Sequence, residues 1–327
     1  MMAHPKRHIP RDASRRRVWV YLAIIAFVVI DIVLIVWALG AGAVEDDATS
    51  SPRQVSTAAP RPAPSASPVA DEPIEDEPAA LTALPAIRLL AAVDATTAWR
   101  AATGGCPATP ASPEVTTDAG ATWRATDATA PTGVTALQRI IASSAEVATM
   151  IGLAEADCAP QLIRTFVGGT NYSSNPAQLP GAWYLDPADR ASVHGPVGTR
   201  AAPCNNVVAL APRDVETAAV LCADGRLFAT ADAAANWSAP TTVTGAIALA
   251  RTADGYAAAA AGGGGCGGVQ IVAVTGELVA TPTGCLPLEA PAASLPGTVS
   301  LSDGGGTLWL WSGDELARSS NLGATWL

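Results

Sequence analysis

Residues 116–123 read TTDAGATW, and two later stretches of the chain follow the same template. Residues 230–237 read TADAAANW, and residues 319–326 read SSNLGATW. Each stretch has a hydroxyl residue, an Asp or Asn two positions later, a Gly or Ala two after that and a Trp three further on. Three matches at four specified positions predict three equivalent corners in a repeated unit, because repeats keep the residues that shape their turns.

The template residues have physical roles in a corner between two strands. Asp118 is an acceptor for backbone N–H groups of the following turn, and Gly120 adopts a left-handed backbone at no steric cost. Trp123 begins the next strand and tucks its ring under the loop. Ala234 replaces the glycine in the second stretch, which costs roughly 1 kcal/mol or more if φ is positive there. The template positions are Thr116, Asp118, Gly120 and Trp123; Thr230, Asp232 and Trp237; and Ser319, Asn321, Gly323 and Trp326.

These stretches resemble Asp boxes, the BNR repeats of sialidases, sortilin-type receptors and photosystem-assembly-factor-like propellers. In those families the box joins the third and fourth strands of a β-propeller blade and lies away from the catalytic centre. The resemblance covers the three stretches directly and, by their spacing, most of residues 88–327. It implies an all-β fold, a β-propeller, and says little about function.

The spacing of the stretches predicts the number of blades. Asp118 and Asp232 are 114 residues apart, and Asp232 and Asn321 are 89 apart. With blades of about 40–50 residues, each interval holds one blade without a recognisable corner, so we predict five blades. The missing corners are expected near residues 171–183, in an enlarged loop, and near residues 275–277, in a tight hairpin.

The ends of the ring must be joined, because an open sheet edge leaves backbone N–H and C=O groups unpaired. The last blade stops at Leu327, with only a few residues for its outermost strand. We therefore expect residues 81–93 to close the ring beside the C-terminal blade.

The N-terminal part of the chain predicts a membrane anchor. Residues 1–17 are basic, and the apolar run of residues 18–39 carries one charge, Asp31. A helix over residues 18–40 is long enough to cross a bilayer at about 1.5 Å per residue, with the basic tail in the cytoplasm. A cleaved signal peptide is the alternative, because residues 41–43 resemble a cleavage site. The anchor is favoured, since the apolar region exceeds the usual range of about 7–15 residues.

The remaining chain divides into a stalk and a folded domain. Residues 41–80 are rich in Pro, Ala and acidic residues, including DEPIEDEP at 71–78, and are expected to be disordered. Residues 81–327 are expected to form the extracytoplasmic propeller. They hold 11 arginines and 19 carboxylates, so no basic surface is available for nucleic acid. The Ala-, Arg- and Pro-rich, Lys-poor usage is typical of a bacterium with a GC-rich genome.

All six cysteines follow the predicted span, where disulfides form. A zinc site is not predicted, because the chain has no CxxC and His194 is the only histidine beyond the span. Six cysteines allow 15 pairings. Expected hairpin geometry favours Cys204–Cys222 and Cys266–Cys285 within blades, which leaves Cys106–Cys158 between neighbouring blades.

No catalytic, cofactor or metal site is predicted. Sialidases of the resembled family use three arginines, a Tyr–Glu pair and an Asp, but their Arg-Ile-Pro signature is absent ahead of the first stretch. The glycine run at residues 257–268 lacks the GK[ST] ending of a phosphate loop. Residues 171–190 are the candidate surface for a partner, since contact residues concentrate in such loops. The candidates are Tyr172, Trp183, Tyr184, Asp186 and Arg190.

The alternative for this loop is that Trp183 and Tyr184 begin an outer strand and pack inward. Taken together, the sequence predicts a non-catalytic, membrane-anchored extracytoplasmic propeller that binds a protein or cell-envelope partner. A sialidase-like exo-glycosidase acting on glycoconjugates is the main alternative. A structural or assembly factor is a third possibility. The placement of the outer arginines relative to the central channel discriminates between the first two.

Overall fold

Residues 81–327 are described by a computed structural model, and they form six antiparallel sheets. Within each sheet, strands that follow one another in sequence are also neighbours in space. Sheets built as consecutive meanders and arranged around one axis make a six-bladed β-propeller. The predicted tail (1–17), transmembrane helix (18–40) and stalk (41–80) lie outside the described residues. From residue 81 onward, no helix combines the length and apolarity that a bilayer span requires.

The first three blades contain eleven strands. Blade 1 has β1 (Arg88–Ala92), β2 (Ala98–Ala102), β3 (Glu114–Thr116) and β4 (Arg124–Ala125). Blade 2 follows the short helix α1 (Thr129–Thr132) and has β5 (Val134–Ala142), β6 (Ala148–Ala154), β7 (Pro160–Thr165) and β8 (Ser173–Ser174). Blade 3 follows a 3₁₀ turn (Pro176–Gly181) and has β9 (Tyr184–Asp186), β10 (Asp189–Gly195) and β11 (Gly198–Ala201).

The last three blades contain the other eleven strands. Blade 4 has β12 (Val207–Pro212), β13 (Ala218–Cys222), β14 (Arg226–Thr230) and β15 (Thr241–Thr242). Blade 5 has β16 (Ala246–Arg251), β17 (Gly255–Ala261), β18 (Gly268–Thr275) and β19 (Ala280–Pro287). Blade 6 follows a 3₁₀ turn (Ala292–Ser294) and has β20 (Val299–Gly304), β21 (Thr307–Ser312) and β22 (Glu315–Ser319). Leu327 extends this blade through two backbone hydrogen bonds with Arg318.

The prediction of five blades is wrong, because residues 184–201, directly after the predicted enlarged loop, form a separate blade 3. Ser173–Ser174 already completes blade 2, and the chain then forms a separate three-stranded sheet. Its signal in the sequence is weak, since β9 and β11 have only three and four residues and β11 is exposed along its whole length. The central strands elsewhere are easier to recognise, because both faces pack against neighbouring blades. β13 and β17 are buried at every position.

The three quoted stretches adopt one geometry, each directly after the third strand of blades 1, 4 and 6. In the first, the Thr116 hydroxyl donates to Asp118 (2.7 Å) and accepts from the Gly120 N–H (3.0 Å). The Asp118 carboxylate also accepts the Thr122 N–H at 2.9 Å. The matching bonds are Thr230–Asp232 (2.9 Å), Ala234–Thr230 (3.0 Å) and Asn236–Asp232 (2.9 Å), and Ser319–Asn321 (2.9 Å), Gly323–Ser319 (2.8 Å) and Thr325–Asn321 (2.9 Å). We call these stretches the corners.

Blade 2 has a fourth, degenerate corner at residues 165–172, earlier in the chain than the predicted 171–183. The Thr165 hydroxyl accepts the Gly169 N–H at 2.8 Å, as in the other corners. Val167 occupies the position of the acid, and Tyr172 occupies that of the tryptophan. Because two of the four template positions differ, the sequence template does not match this corner. In blade 5 a tight hairpin lies at the predicted place, and Thr275 accepts the Val279 N–H at 3.2 Å.

The aromatic residue that ends each corner packs against the preceding blade. Trp237 and Trp326 donate their indole N–H groups to backbone carbonyl groups there, and Tyr172 shares a hydrogen bond with a threonine hydroxyl. Trp123 packs against the cluster of Trp309, which belongs to blade 6. The hydrogen-bond partners are Ala201 for Trp237 (3.2 Å), Cys285 for Trp326 (3.1 Å) and Thr126 for Tyr172 (2.7 Å).

Three other tryptophans reach the following blade. Each donates its indole N–H to a carbonyl group in the hairpin between the first and second strands of that blade. Trp99 donates to Ser144 (3.0 Å), Trp183 to Asp214 (2.9 Å) and Trp309 to Asp94 (2.9 Å). The bond from Trp309 joins blade 6 to blade 1 in the same way as the others join consecutive blades, so it closes the ring.

The segment before and within β1 supports that closure. The Ala92 N–H donates to the Ser302 hydroxyl at 2.9 Å, and the Ile87 N–H donates to Gly297 O at 2.8 Å. Ser302 lies on β20 of the last blade, and Gly297 lies just before it. Residues 87–92 therefore lie beside the C-terminal blade as expected, whereas the Ala83 N–H, earlier in the predicted segment, donates to Ala223 O of blade 4.

The three predicted disulfides are confirmed. Cys204–Cys222 and Cys266–Cys285 each close a loop beside one blade, with Cα–Cα distances of 6.3 and 5.8 Å. Cys106–Cys158, at 5.9 Å, joins the loop after β2 to the loop after β6 and so ties blade 1 to blade 2. Each crosslink stabilises the fold, in the chain-entropy account, by restricting the unfolded chain.

Candidate functional site: the central channel

The first strands of the blades surround a central channel. β1, β5, β12, β16 and β20 each contribute five consecutive residues to its wall, and blade 3 contributes residues around its first hairpin. The channel encloses a cavity of about 230 Å³. Its size and position make it the default candidate for a binding site, since ligand sites in closed β-structures favour such mouths.

A belt of branched apolar side chains runs around the middle of the channel wall. Each member is the central residue of the five that its strand contributes. Three of them, Ile140, Leu249 and Leu301, are at most 8% exposed. The belt comprises Leu90, Ile140, Leu210, Leu249 and Leu301. A ligand that reaches this level meets small apolar areas of Ile140, Leu249 and Leu301, since most of each side chain is packed in the core.

Positive charge is concentrated on the same wall. Four of the 11 arginines of residues 81–327 line the channel, but only one of the 19 carboxylates does, Asp303. The lining arginines are Arg88, Arg139, Arg190 and Arg251. The channel is thus a cationic site inside an acidic domain, and it attracts anions that the outer surface repels.

Arg88 is already engaged within the protein. Its guanidinium donates to Gly313 O, in the β21–β22 hairpin, and lies 4.5 Å from the centroid of the Trp311 ring. Burial lowers the pKa of Arg88, and the charge of Asp314 opposes this shift. Arg88 therefore serves mainly to hold blade 1 to blade 6.

Arg139 has one fixed contact and several remaining donors. Its guanidinium donates to Trp183 O, across the boundary between blades 2 and 3. Burial, with the positive charge of Arg251 as a second cause, lowers the pKa of Arg139 to about 10. The side chain therefore stays protonated at neutral pH. Since a guanidinium has five N–H donors, most of its donors are available to a ligand.

Arg190 and Arg251 have no charged partner. Within residues 81–327, neither guanidinium makes an ion pair or a hydrogen bond; the two ion pairs of that region are Arg100–Glu114 and Arg226–Asp224. Burial lowers the pKa of Arg190, opposed by the charge of Asp186. Arg190 is half-buried and Arg251 is exposed at the end of β16, so the desolvation cost of an unpaired cation falls on Arg190. An anion bound in the channel would repay it.

Asp303 is the carboxylate closest to these cations in the wall. Burial raises the pKa of Asp303, and the Gly306 N–H and the charge of Arg251 oppose the rise. One acid with a raised pKa leaves the positive charge of the channel largely uncompensated.

The two mouths of the channel differ. Residues 81–87, which we call the strap, lie over one of them: Ala83 N–H donates to Ala223 O of blade 4 (2.8 Å), and Ile87 reaches Gly297 beside blade 6. Ala83 is fully buried there. The other mouth is formed by the hairpins between first and second strands, and we call it the hairpin mouth. Arg251 ends β16 and Arg190 follows the turn into β10, so both lie at the hairpin mouth.

The residues predicted as partner contacts fall into two groups. Tyr172 and Trp183 are 4% and 5% exposed and hold blades together through the hydrogen bonds described above. Tyr184, Leu185 and Arg190 line the channel, and Tyr184 stacks on His194 with centroids 4.2 Å apart. Asp186 caps the turn by accepting the Ala188 N–H. Of the five predicted residues, the structure brings Tyr184 and Arg190 together on the channel wall.

Sequence reasoning did not identify Arg139 and Arg251 as site residues. They are 112 positions apart and lie on different blades, so no local pattern connects them. Aligning the sequences of the blades with one another would have identified both arginines, because both lie on first strands and the first strands of a propeller line its axis. Such an alignment requires the blade boundaries to be known first.

No protein-family model matches this chain, and no curated protein matches it. It is similar to the solved structure of YCF48 from Cyanidioschyzon merolae, with 17% identity over 75% of this chain and 85% of that one and a TM-score of 0.38. It is similar to YCF48 bound to D1 peptide, with 18% identity, 75% and 67% coverage and a TM-score of 0.28.

A third similar structure is the GH74 xyloglucanase from Xanthomonas campestris, with 17% identity, 73% of this chain and 37% of that one covered, and a TM-score of 0.30. Similarity at this level carries no argument about ligand or activity. The propeller fold rests on the six sheets themselves.

The chemistry that the channel offers is recognition of anions. Two-carboxylate glycoside hydrolysis requires a second acid about 5–10 Å from the first, whereas Asp303 is the single carboxylate on the wall. In the part of the chain from residue 81 on, no group of three or more His, Cys, Asp or Glu is placed to hold a metal ion. The channel combines guanidinium donors, an apolar belt and a confined volume, which is a binding arrangement.

Proposed function

We propose that this protein is a membrane-anchored, extracytoplasmic β-propeller that binds a protein or cell-envelope partner without catalysing a reaction. One observation carries the proposal: Arg190 and Arg251 lie at the hairpin mouth without a partner in the described chain. A few polar or charged side chains that converge without partners on a concave surface are typical of ligand sites.

The cellular location of the propeller is part of the proposal. The basic tail, apolar run and acidic stalk of residues 1–80 favour an anchor with the propeller outside the cytoplasm. Three disulfides agree with an oxidising compartment. We also propose that the corners are Asp boxes, since the hydroxyl, acid and turn glycine interact in the way that the template implies. Protease added to intact cells should remove residues 81–327 and leave the N-terminal tail protected. Protection of residues 81–327 would contradict the extracytoplasmic location.

The binding proposal is tested with the full-length protein in detergent extracts. Wild type, Arg251→Glu and Arg200→Glu are used as baits in quantitative affinity purification. Arg200 is exposed on β11 and lies outside the channel, so it provides a matched charge reversal. A genuine partner of the hairpin mouth is retained by wild type and Arg200→Glu and lost by Arg251→Glu. A partner set that is equal for all three baits would contradict this site.

The second candidate is a sialidase-like exo-glycosidase, and one observation favours it. Arg139, Arg190 and Arg251 share a channel with Tyr184, as substrate-carboxylate arginines and a nucleophilic Tyr would. However, Tyr184 is stacked on His194, and the wall contains no glutamate. Hydrolysis of a fluorogenic sialoside by wild type, with loss of that activity in Arg190→Gln, would establish the enzyme and overturn the binding-only proposal.

A further inference from the structure

The shape of the channel restricts what it accepts. A cavity of about 230 Å³, at roughly 10–15 Å³ of accessible volume for each water, has room for on the order of 15–20 water molecules. A folded domain or a long oligosaccharide does not fit inside, whereas one terminal group of a few heavy atoms does. The ligand portion that enters is therefore small.

The wall fixes the chemistry of that portion. Arg190 and Arg251 present unpaired guanidinium groups at the hairpin mouth, and Arg139, on the same wall, has further donors besides the one bound to Trp183 O. A planar guanidinium binds a carboxylate through two parallel hydrogen bonds. The belt that includes Leu249 and Leu301 offers only dispersion and apolar burial to the rest of the ligand. Among residues 81–327, Tyr184 is the one aromatic residue on the wall, and one face of its ring is stacked on His194, so that face is closed to a sugar ring.

We propose that the channel binds a carboxylate attached to a compact branched apolar body, with the carboxylate on Arg190 and Arg251 and the body against the apolar belt. This inference rests on the proposed binding function and names the chemical class of its ligand. Two sources supply that class: the C-terminal residue of a partner chain, such as leucine, and a free branched-chain acid. Both place one carboxylate next to a branched apolar body that is small enough to enter the cavity.

The test uses isothermal titration calorimetry on the full-length protein in detergent with three probes. N-acetyl-Ala-Ala-Leu carries a terminal carboxylate, its C-terminal amide lacks the charge, and 4-methylpentanoate has the acid and the branched body without a peptide. We expect the two acids to bind and the amide to bind at least about tenfold more weakly, since charge-assisted hydrogen bonds are lost. Peptide acid binding tighter than 4-methylpentanoate identifies a chain terminus as the source; equal binding identifies the free acid.

Variants assign the binding to these residues. Arg190→Gln and Arg251→Gln should each weaken the acids by about tenfold or more and leave binding of the amide unchanged. Arg200→Gln is the matched control and should bind as wild type does. Circular dichroism melting curves establish that each variant is folded. Equal binding of acid and amide, or wild-type binding by the Arg190→Gln/Arg251→Gln double variant, would overturn the proposal.

The result is separable from the proposed function. If a partner depends on Arg251 in affinity purification but no carboxylate probe binds, the ligand class is wrong and the binding function stands. If the probes bind in an arginine-dependent way but no partner depends on Arg251, the ligand class stands and the macromolecular partner is wrong.

Discussion

The corners and the channel both concentrate polar side chains, but they treat them differently. In each corner the hydroxyl, the acid or amide and the backbone N–H groups satisfy one another within eight residues. In the channel the guanidiniums of Arg190 and Arg251 come from different blades and have no partner in the described chain. Closed polar networks stabilise a fold, whereas open ones cost stability and bind ligands. The corners therefore stabilise the propeller, whereas the channel arginines are available to bind a ligand.

The largest expected effect tests whether the tryptophans carry the ring. Trp309 is fully buried and joins blade 6 to blade 1. Trp309→Ala should lower the free energy of unfolding by about 3–5 kcal/mol through lost packing. Trp309→Phe keeps most of the ring but removes the N–H, so it should cost about 1–2 kcal/mol. Urea unfolding measures both. A change below about 1 kcal/mol for Trp309→Ala would mean that the ring does not depend on this junction.

Gly120 and Ala234 occupy the same turn position in two corners, so exchanging glycine and alanine should change the stability of the protein in opposite directions. At Gly120, φ is +85° and an added Cβ would lie 2.2 Å from Leu316 Cδ2, so Gly120→Ala should destabilise by about 1–3 kcal/mol. Ala234 already has φ of +66°, so Ala234→Gly should stabilise by up to about 1 kcal/mol by relieving strain. Ala229→Gly, within β14, is the control and should destabilise. The same sign for Gly120→Ala and Ala234→Gly in thermal melts would refute the equivalence of these corners.

A smaller effect concerns pH, because two corners differ by an acid and its amide. Hydrogen bonds from Thr122, with a further one from Thr116, lower the pKa of Asp118 to about 2 from its usual 3.8. A lowered folded-state pKa stabilises the protein above about pH 4, and this contribution is lost as the pH falls through about 2. Asp118→Asn should therefore lose less melting temperature than wild type between pH 5 and pH 2.

The reverse substitution provides the control for this pH effect. Asn321→Asp places an acid in the third corner and should make the acid limb of the stability profile steeper. Parallel profiles for wild type and Asp118→Asn would show that the corner hydrogen bonds do not favour the ionised form.

The smallest expected effect is on the stability of channel variants. Arg251→Gln removes a cation that has no ion pair and that lies near Arg139. The free energy of unfolding should change by no more than about 0.5 kcal/mol, or rise slightly as repulsion is relieved. Its ligand affinity should nevertheless fall. A loss of stability as large as that of Gly120→Ala would place Arg251 among the structural residues and remove the distinction between corners and channel.

The same distinction explains what the sequence could predict. The corners and disulfides were recognisable because their residues are close in sequence or bracket a hairpin, as for Thr116, Asp118 and the Cys204–Cys222 pair. The channel arginines were not, since Arg139 and Arg251 meet only after the ring has formed. Blade 3 was missed for a third reason. Its outer strands β9 and β11 have only three and four residues, and Trp183, which joins it to blade 4, precedes the first strand instead of lying in a corner.

The junction between Trp309 and Asp94 also determines the order in which the chain can complete itself during synthesis. The two residues are 215 positions apart, so nearly the whole domain must leave the ribosome before blade 1 acquires its neighbour. Until then Ala92, Ala98 and Trp123 present an uncovered apolar surface. Contacts of such long range slow folding and extend the time in which nascent chains associate wrongly. Synthesis of the last blade is thus the step that covers this surface. Chains interrupted just before β20 should depend most on chaperones.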